Sequence, residues 1–200
     1  AATRAVHVVS AAGECKELLL HLVPAGPSED VAYTLIVNEN GHVKEFDSAS
    51  EENSVPQFFN DEEELRSMSV LFEPGKALAK AGLFNAVCSS LGSGLVKAAR
   101  STHLYFSPDA PEADSDMQFF GKVFDIVDIV PLNKQSIRAF GAKYPKAEVS
   151  ARNISMTSDG LRKKLKVQSG GNVHIFGIGI DFDDRKSSNW LVAAVRRQTV

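Results

Sequence analysis

Apolar residues fall in short runs separated by polar, glycine-containing stretches, a pattern that predicts many brief elements rather than a few long helices. Val6–Val9 is a β-rich run ended by Ser10–Gly13, and Cys15–Val23 is a second apolar stretch. Over nine residues periodicity allows that stretch to be either a helix or the hairpin partner of the first run. Pro24–Asp30 reads as a loop. Val31–Val37 and His42–Phe46 then flank Asn38–Gly41, a β-hairpin signature with Asn40-Gly41 in the turn. Ser48–Arg66 is acidic and reads as a connecting segment with a helical turn near Asp61–Leu65.

A strand at Val70–Phe72 precedes the clearest helical stripe, Ala77, Ala81, Phe84, Cys88 and Leu91, with Pro74 at the first helical position and Gly92 as the closing cap. Leu104–Phe106 is a strand, and Asp109–Asp116 an acidic loop. From Gly121 onward strands and helices alternate: strand Lys122–Val130, helix Lys134–Lys143, strand Ala147–Arg152, helix Asp159–Lys166, then strands Asn172–Asp181 and Trp190–Arg196. Asn133 and Ser158 are the expected caps of the two helices. The last two strands are apolar on both faces and should pair centrally as a hairpin across Phe182–Asn189. The order βαβαββ predicts an α+β fold, a mixed sheet with helices on one face.

The chain's 200 residues carry a net charge of −3, which conceals a division. Residues 1–133 hold 9 basic and 20 acidic side chains (−11), and residues 134–200 hold 13 and 5 (+8). Such asymmetry points the basic part toward an anionic partner. No apolar run approaches the length of a membrane span, and the opening decapeptide lacks the pattern of a secretory signal. With no methionine before Ala1, the chain reads as a piece of a longer protein. Cys15 and Cys88 lie in no ligand or redox spacing and are expected to be reduced, buried thiols of a cytoplasmic protein. The sequon at Asn153–Ser155 would matter only in a secreted chain.

Candidate chemistry is sparse. Phe176–Asp181 contains Gly177 and Gly179, but a phosphate-binding turn must open a helix, and this one leads into a strand. Asp181, Asp183 and Asp184 lack the turn glycine and closing glutamate of a calcium loop, so a solvated hairpin is the better reading. The five histidines are scattered. What rises above this background is Arg152-Asn153 followed by Arg162, Lys163, Lys164 and Lys166, basic side chains arrayed around Leu161 and Leu165 where they could meet phosphates. Cations in a helix's last turn are also what its dipole favours, so the residues alone leave a purely structural role open. Without aromatic residues beside them, they suit the backbone or shape of double-stranded RNA better than base stacking.

Several ordered motifs add to this: Leu71–Phe84, Thr102–Ser107, Val149–Ile154, Leu161–Lys166 and Gly170–Phe176. Together they resemble bacterial class I S-adenosylmethionine-dependent methyltransferase-like proteins that end in a THUMP-like domain. The resemblance covers residues 70–197 and extends more loosely to Val6–Leu20, similar to the last strands of that family's catalytic domain. It implies a remnant of a Rossmann-like methyltransferase domain over residues 1–66, a ferredoxin-like segment over 67–118 and a THUMP-like domain over 119–200. The cofactor's glycine-rich loop is absent from these residues, so the resemblance implies S-adenosylmethionine for the whole protein and no activity for this chain alone. It further implies structured RNA (tRNA or rRNA) and the protein's own N-terminal catalytic domain as partners, with neither DNA nor membrane. Arg152, Asn153, Arg162, Lys163, Lys164 and Lys166 are the expected RNA contacts. The alternative is a structural or protein-interaction module, in which the basic helix docks on acidic protein surface.

Overall fold

The computed structural model describes residues 1–24, 32–92, 94–112, 115–183 and 186–198. Most of the expected Pro24–Asp30 loop, Val31, residues 113–114 of the acidic loop, and Asp184 lie outside the described residues. The chain opens with strands β1 (Ala2–Ala11), β2 (Glu14–Val23), β3 (Thr34–Glu39) and β4 (His42–Asp47), then helices α1 (Ser50–Asn53) and α2 (Glu62–Arg66). Next come β5 (Val70–Pro74), α3 (Lys76–Ala81), α4 (Ala86–Ser90), β6 (Val96–Ala99), β7 (Thr102–Ser107) and α5 (Asp116–Phe119). The alternating part is β8 (Gly121–Pro131), α6 (Lys134–Lys143), β9 (Glu148–Arg152), α7 (Ser158–Leu165), β10 (Val173–Asp181) and β11 (Ser187–Arg196). This is a mixed α+β fold with two mixed sheets.

Contacts divide the chain into two compact units. The first comprises Ala1–Pro56, Glu73–Ser93 and Pro111–Lys122. Its sheet has the order β2-β1-β3-β4, with β1 and β3 parallel and each in an antiparallel hairpin. The ambiguous stretch at Cys15–Val23 is thus a strand. Asn40 and Gly41 turn the second hairpin with φ of 53° and 94°, the left-handed pair such two-residue turns require. Val8 and Ser10 of β1 share a buried face with Leu35, Val37 and Glu39 of β3, and α3 packs on these strands. Glu39 is buried at the start of α3, where its carboxylate accepts hydrogen bonds from the Ser10 hydroxyl and, at 2.9 Å, from the Ala77 N–H. The helix N-terminus supplies the positive potential that a buried carboxylate needs.

The single helix expected from Pro74 to Leu91 is two. Pro74 ends β5, Gly75 caps α3, and Gly82 (φ 77°) closes it: the Leu83 and Gly82 N–H groups donate to the Leu78 and Ala79 carbonyls, a Schellman turn. Helix α4 restarts four residues later, its first N–H groups, those of Asn85 and Ala86, capped at 2.7 and 3.0 Å by the Glu51 carboxylate. The cysteines also depart from expectation. Cys15 is exposed and Cys88 half-buried, and neither is in a disulfide.

The second unit comprises Gln57–Phe72, Gly94–Ala110 and Val123–Val200. Its strands lie in a sheet ordered β6-β7-β5-β8-β11-β10-β9. β10 and β11 pair as the predicted hairpin, and β9 adds parallel to β10 at the edge. The sheet curls until β6 comes within contact distance of β10, although four strands lie between them in the order. Gln57–Phe59 stitches the two together: the Gln57 carbonyl accepts from Lys97 of β6 at 2.8 Å, and the Phe59 carbonyl from Asp183, just past β10, at 2.9 Å. Inside the curl lie Phe59, Phe106, Phe124, Phe176 and Trp190. The two chain-order surprises here, β6 and the bridging role of residues 57–59, are too short to show periodicity. Phe59 is fully buried, and truncating such a side chain to alanine costs about 3–5 kcal/mol. The opposite face of β10 and β11 carries α6 and α7 over Ile175, Leu191 and Ala193.

Candidate nucleic-acid interface

The two helices on that outer face are set by local chemistry. The Asn133 side chain accepts the Ser136 N–H at 2.9 Å, capping α6 as expected. Phe140 then faces the sheet while Lys134 and Arg138, four residues apart, stay exposed on one side of the helix. Helix α7 is capped one residue earlier than expected, by Thr157, whose hydroxyl accepts the Gly160 N–H at 3.1 Å. Ser158 instead accepts the Ala151 N–H at 3.0 Å, tying the start of α7 to the end of β9. Leu161 and Leu165 are buried, which turns the intervening basic residues outward.

Between the helices runs an open groove of about 600 Å³. Its walls carry four cations, Lys134 and Arg138 from α6 and Lys164 and Lys166 from the end of α7, over a floor that includes Ile137, Gly141 and Leu165. No carboxylate lines it, and among the described residues none of the four cations is in an ion pair. Like charges gathered without counterions raise the local potential for anions. The floor exists because Gly141 lets α6 approach α7: a β-carbon there would lie 2.0 Å from the Leu165 carbonyl oxygen. Lys166 reaches the groove from a left-handed backbone (φ 58°), in the Schellman turn in which its own N–H bonds the Lys163 carbonyl and that of Val167 the Arg162 carbonyl. Glycine normally occupies that position.

The six residues expected from sequence are therefore not one cluster. Lys164 and Lys166 line the groove. Lys163 is exposed on α7 outside it, and Arg162 is held by Asp159 at 2.8 Å. Arg152 and Asn153 lie at the opposite end of α7, beside its N-terminus. Sequence reasoning missed Lys134 and Arg138, although their i, i+4 spacing on a correctly bounded helix was a usable signal.

The remaining candidates have structural explanations. Gly177 and Gly179 sit inside β10, where the Asn153–Ile154 turn crosses them: a β-carbon on Gly179 would meet the Asn153 carbonyl oxygen at 2.2 Å. They do not fit a cofactor's phosphates. The Asp181 carboxylate accepts from the Arg100 N–H at 2.9 Å and from the Ser187 hydroxyl at 2.7 Å. Among the described residues no three His, Cys, Asp or Glu side chains gather as metal ligands. Near the C-terminus of α6, Lys143 donates to Asp128 at 2.8 Å, and this hydrogen bond raises its pKa. Burial raises that of the neighbouring Tyr144.

Comparison with known proteins bears on the same region. Residues 121–194, which include the groove and both helices, match the model of a family described as THUMP domain-like, and residues 71–113 match that of a ferredoxin-like domain. The chain carries both domains. The THUMP-like domain thus contains all four groove cations. A crystal structure from Porphyromonas gingivalis W83, described as a "putative methyltransferase", superposes with a TM-score of 0.74 at 26% identity over 98% of this chain. The match spans 46% of that protein's length. No curated protein matches. Among the described residues no helix is long and apolar enough to cross a membrane.

Proposed function

We propose that this chain is the RNA-recognising, C-terminal region of an S-adenosylmethionine-dependent RNA methyltransferase, its α6–α7 groove receiving the phosphate backbone of structured RNA such as tRNA or rRNA. The observation that carries this reading is the set of four cations, without ion-pair partners among the described residues, lining one groove of a THUMP-like domain. A duplex phosphate backbone is read by cations and shape, and no aromatic residue in the groove wall offers a stacking platform. In this reading the chain orients RNA, and methyl transfer from S-adenosylmethionine is the work of a catalytic part outside these 200 residues. The setting is the cytoplasm, where Cys15 and Cys88, neither of them in a disulfide, stay reduced.

Fluorescence anisotropy with labelled tRNA and with a ribosomal RNA hairpin, across a salt series, tests this. Binding should weaken linearly in log–log coordinates as counterions compete, with each phosphate contact adding about 0.7–0.9 to the slope. Replacing Lys134, Arg138, Lys164 and Lys166 with alanine should abolish it. Absence of binding at about 50 mM salt, where such contacts are strongest, would overturn the reading and favour a protein-interaction module.

A further inference from the structure

The four cations of the α6–α7 groove are unevenly placed along it. Gly141 is where α6 meets α7, against the Leu165 carbonyl oxygen, and Lys164 and Lys166 are the residues on either side of Leu165. Arg138 stands one turn before Gly141 on α6, whereas Lys134 is a further turn away, about 6 Å along the helix axis. Three exposed cations therefore gather around the floor at Gly141, and Lys134 stands apart from them.

The charge of that cluster and its number of donors select the occupant. Both helices end there, Gly141 lying in the last turn of α6 and Leu165 closing α7. Each helix C-terminus carries about half a negative charge, so three cations less those two halves leave roughly +2. No carboxylate lines the groove to lower this further, and apolar Ile137, Ala142 and Leu165 in its wall concentrate the field. A phosphodiester inside a strand brings a single negative charge and a pair of free oxygens. A phosphate monoester brings about −1.5 to −2 at neutral pH and three acceptor oxygens, one for each of Arg138, Lys164 and Lys166. Unmodified RNA carries such a group only at the end of a strand. We propose that the Gly141 end of the groove holds the terminal phosphate monoester of an RNA strand, with Lys134 meeting the next phosphate along that strand. This rests on the RNA-binding part of the proposed function and narrows it from any stretch of backbone to a strand's end.

Competition against a labelled tRNA tests it, using unlabelled RNA hairpins of one sequence that end in a 5′-phosphate, in a 3′-phosphate or in hydroxyls at both ends. A phosphorylated hairpin should compete at least about tenfold more tightly than the hydroxyl form, the gain expected of hydrogen bonds between charged groups. Whether the 5′ form, the 3′ form or both do so assigns the strand end. Arg138→Ala and Lys164→Ala, both at exposed positions, should each erase most of that gain, whereas Lys134→Ala should weaken all three hairpins by the same factor. Equal competition by all three hairpins, or a gain that Arg138→Ala and Lys164→Ala leave intact, would overturn the proposal while RNA binding itself stood. Failure of every RNA to bind would overturn both together.

Discussion

Gly141 and the Leu165 carbonyl oxygen are so close that a single methyl group on Gly141 would stand 2.0 Å from that oxygen. Two effects oppose each other on substitution. Alanine gains about 0.8–1.0 kcal/mol over glycine inside a helix, while overpacking costs about 1–3 kcal/mol. Here the obstacle is backbone, which cannot rotate aside, so the clash should win. Gly141→Ala is expected to lower the denaturant midpoint at unchanged m-value and to weaken RNA binding by spreading the groove. Gly177→Ala meets the ends of the Leu161 and Ile154 side chains instead and should cost less than Gly179→Ala, which meets the Asn153 carbonyl. An unchanged or raised midpoint for Gly141→Ala would show that α6 can withdraw from α7 freely.

Lys166 occupies a left-handed position that the equivalent turn of α3 gives to Gly82. A side chain costs about 1 kcal/mol or more in that conformation. Lys166→Gly should therefore stabilise the domain, by up to about 1 kcal/mol, while weakening RNA binding. Thermal melts and anisotropy on the same sample check both signs. A variant that is more stable and binds equally well would remove Lys166 from the interface.

How much of this was legible in the sequence depends on element length. From Gly121 on, each strand and helix is long enough to show its period, and α6 and the β10–β11 hairpin fall where the pattern places them. Upstream, Cys15–Val23 stayed ambiguous because three consecutive leucines satisfy either period. The helix through Ala77–Leu91 kept a perfect stripe across Gly82, so periodicity concealed the break that the left-handed backbone makes. Half of the groove was legible as a basic run after Leu161. The other half, Lys134 and Arg138, comes from a helix 30 residues away in sequence, and only tertiary packing brings the two together.

Lys143 and Tyr144 place the alkaline edge of stability. Lys143 has its pKa raised by the Asp128 hydrogen bond, which favours its charged form, and Tyr144 by burial, which favours its neutral form. In both cases the folded value exceeds the unfolded one, near 10.5 and 10.0. Each contribution is complete below the unfolded pKa and is lost as pH climbs through the folded one. Denaturant midpoints should hold steady up to about pH 9.5 and then fall. Asp128→Asn should return the Lys143 pKa toward 10.5 and flatten that fall, whereas an identical alkaline profile in the variant would show that the pair adds nothing to folding.

Under the proposed RNA-binding role the two ends of α7 are rival footholds, and salt dependence separates them. Eight residues at about 1.5 Å each put roughly 12 Å between Arg152 at one end and Lys164–Lys166 at the other, too far for one phosphate to touch both. If phosphates lie in the groove, Arg138→Ala and Lys164→Ala should each lower the slope of log K against log salt by about 0.7–0.9. Arg152→Ala should leave it unchanged. The affinity losses should also be similar for every structured RNA tried, because backbone contacts carry no sequence information. The reverse result, a slope that falls with Arg152 and not with the groove cations, would move the interface to the β9–α7 turn. There the Asn153 carbonyl, packed against Gly179, would fix the register of that turn against β10.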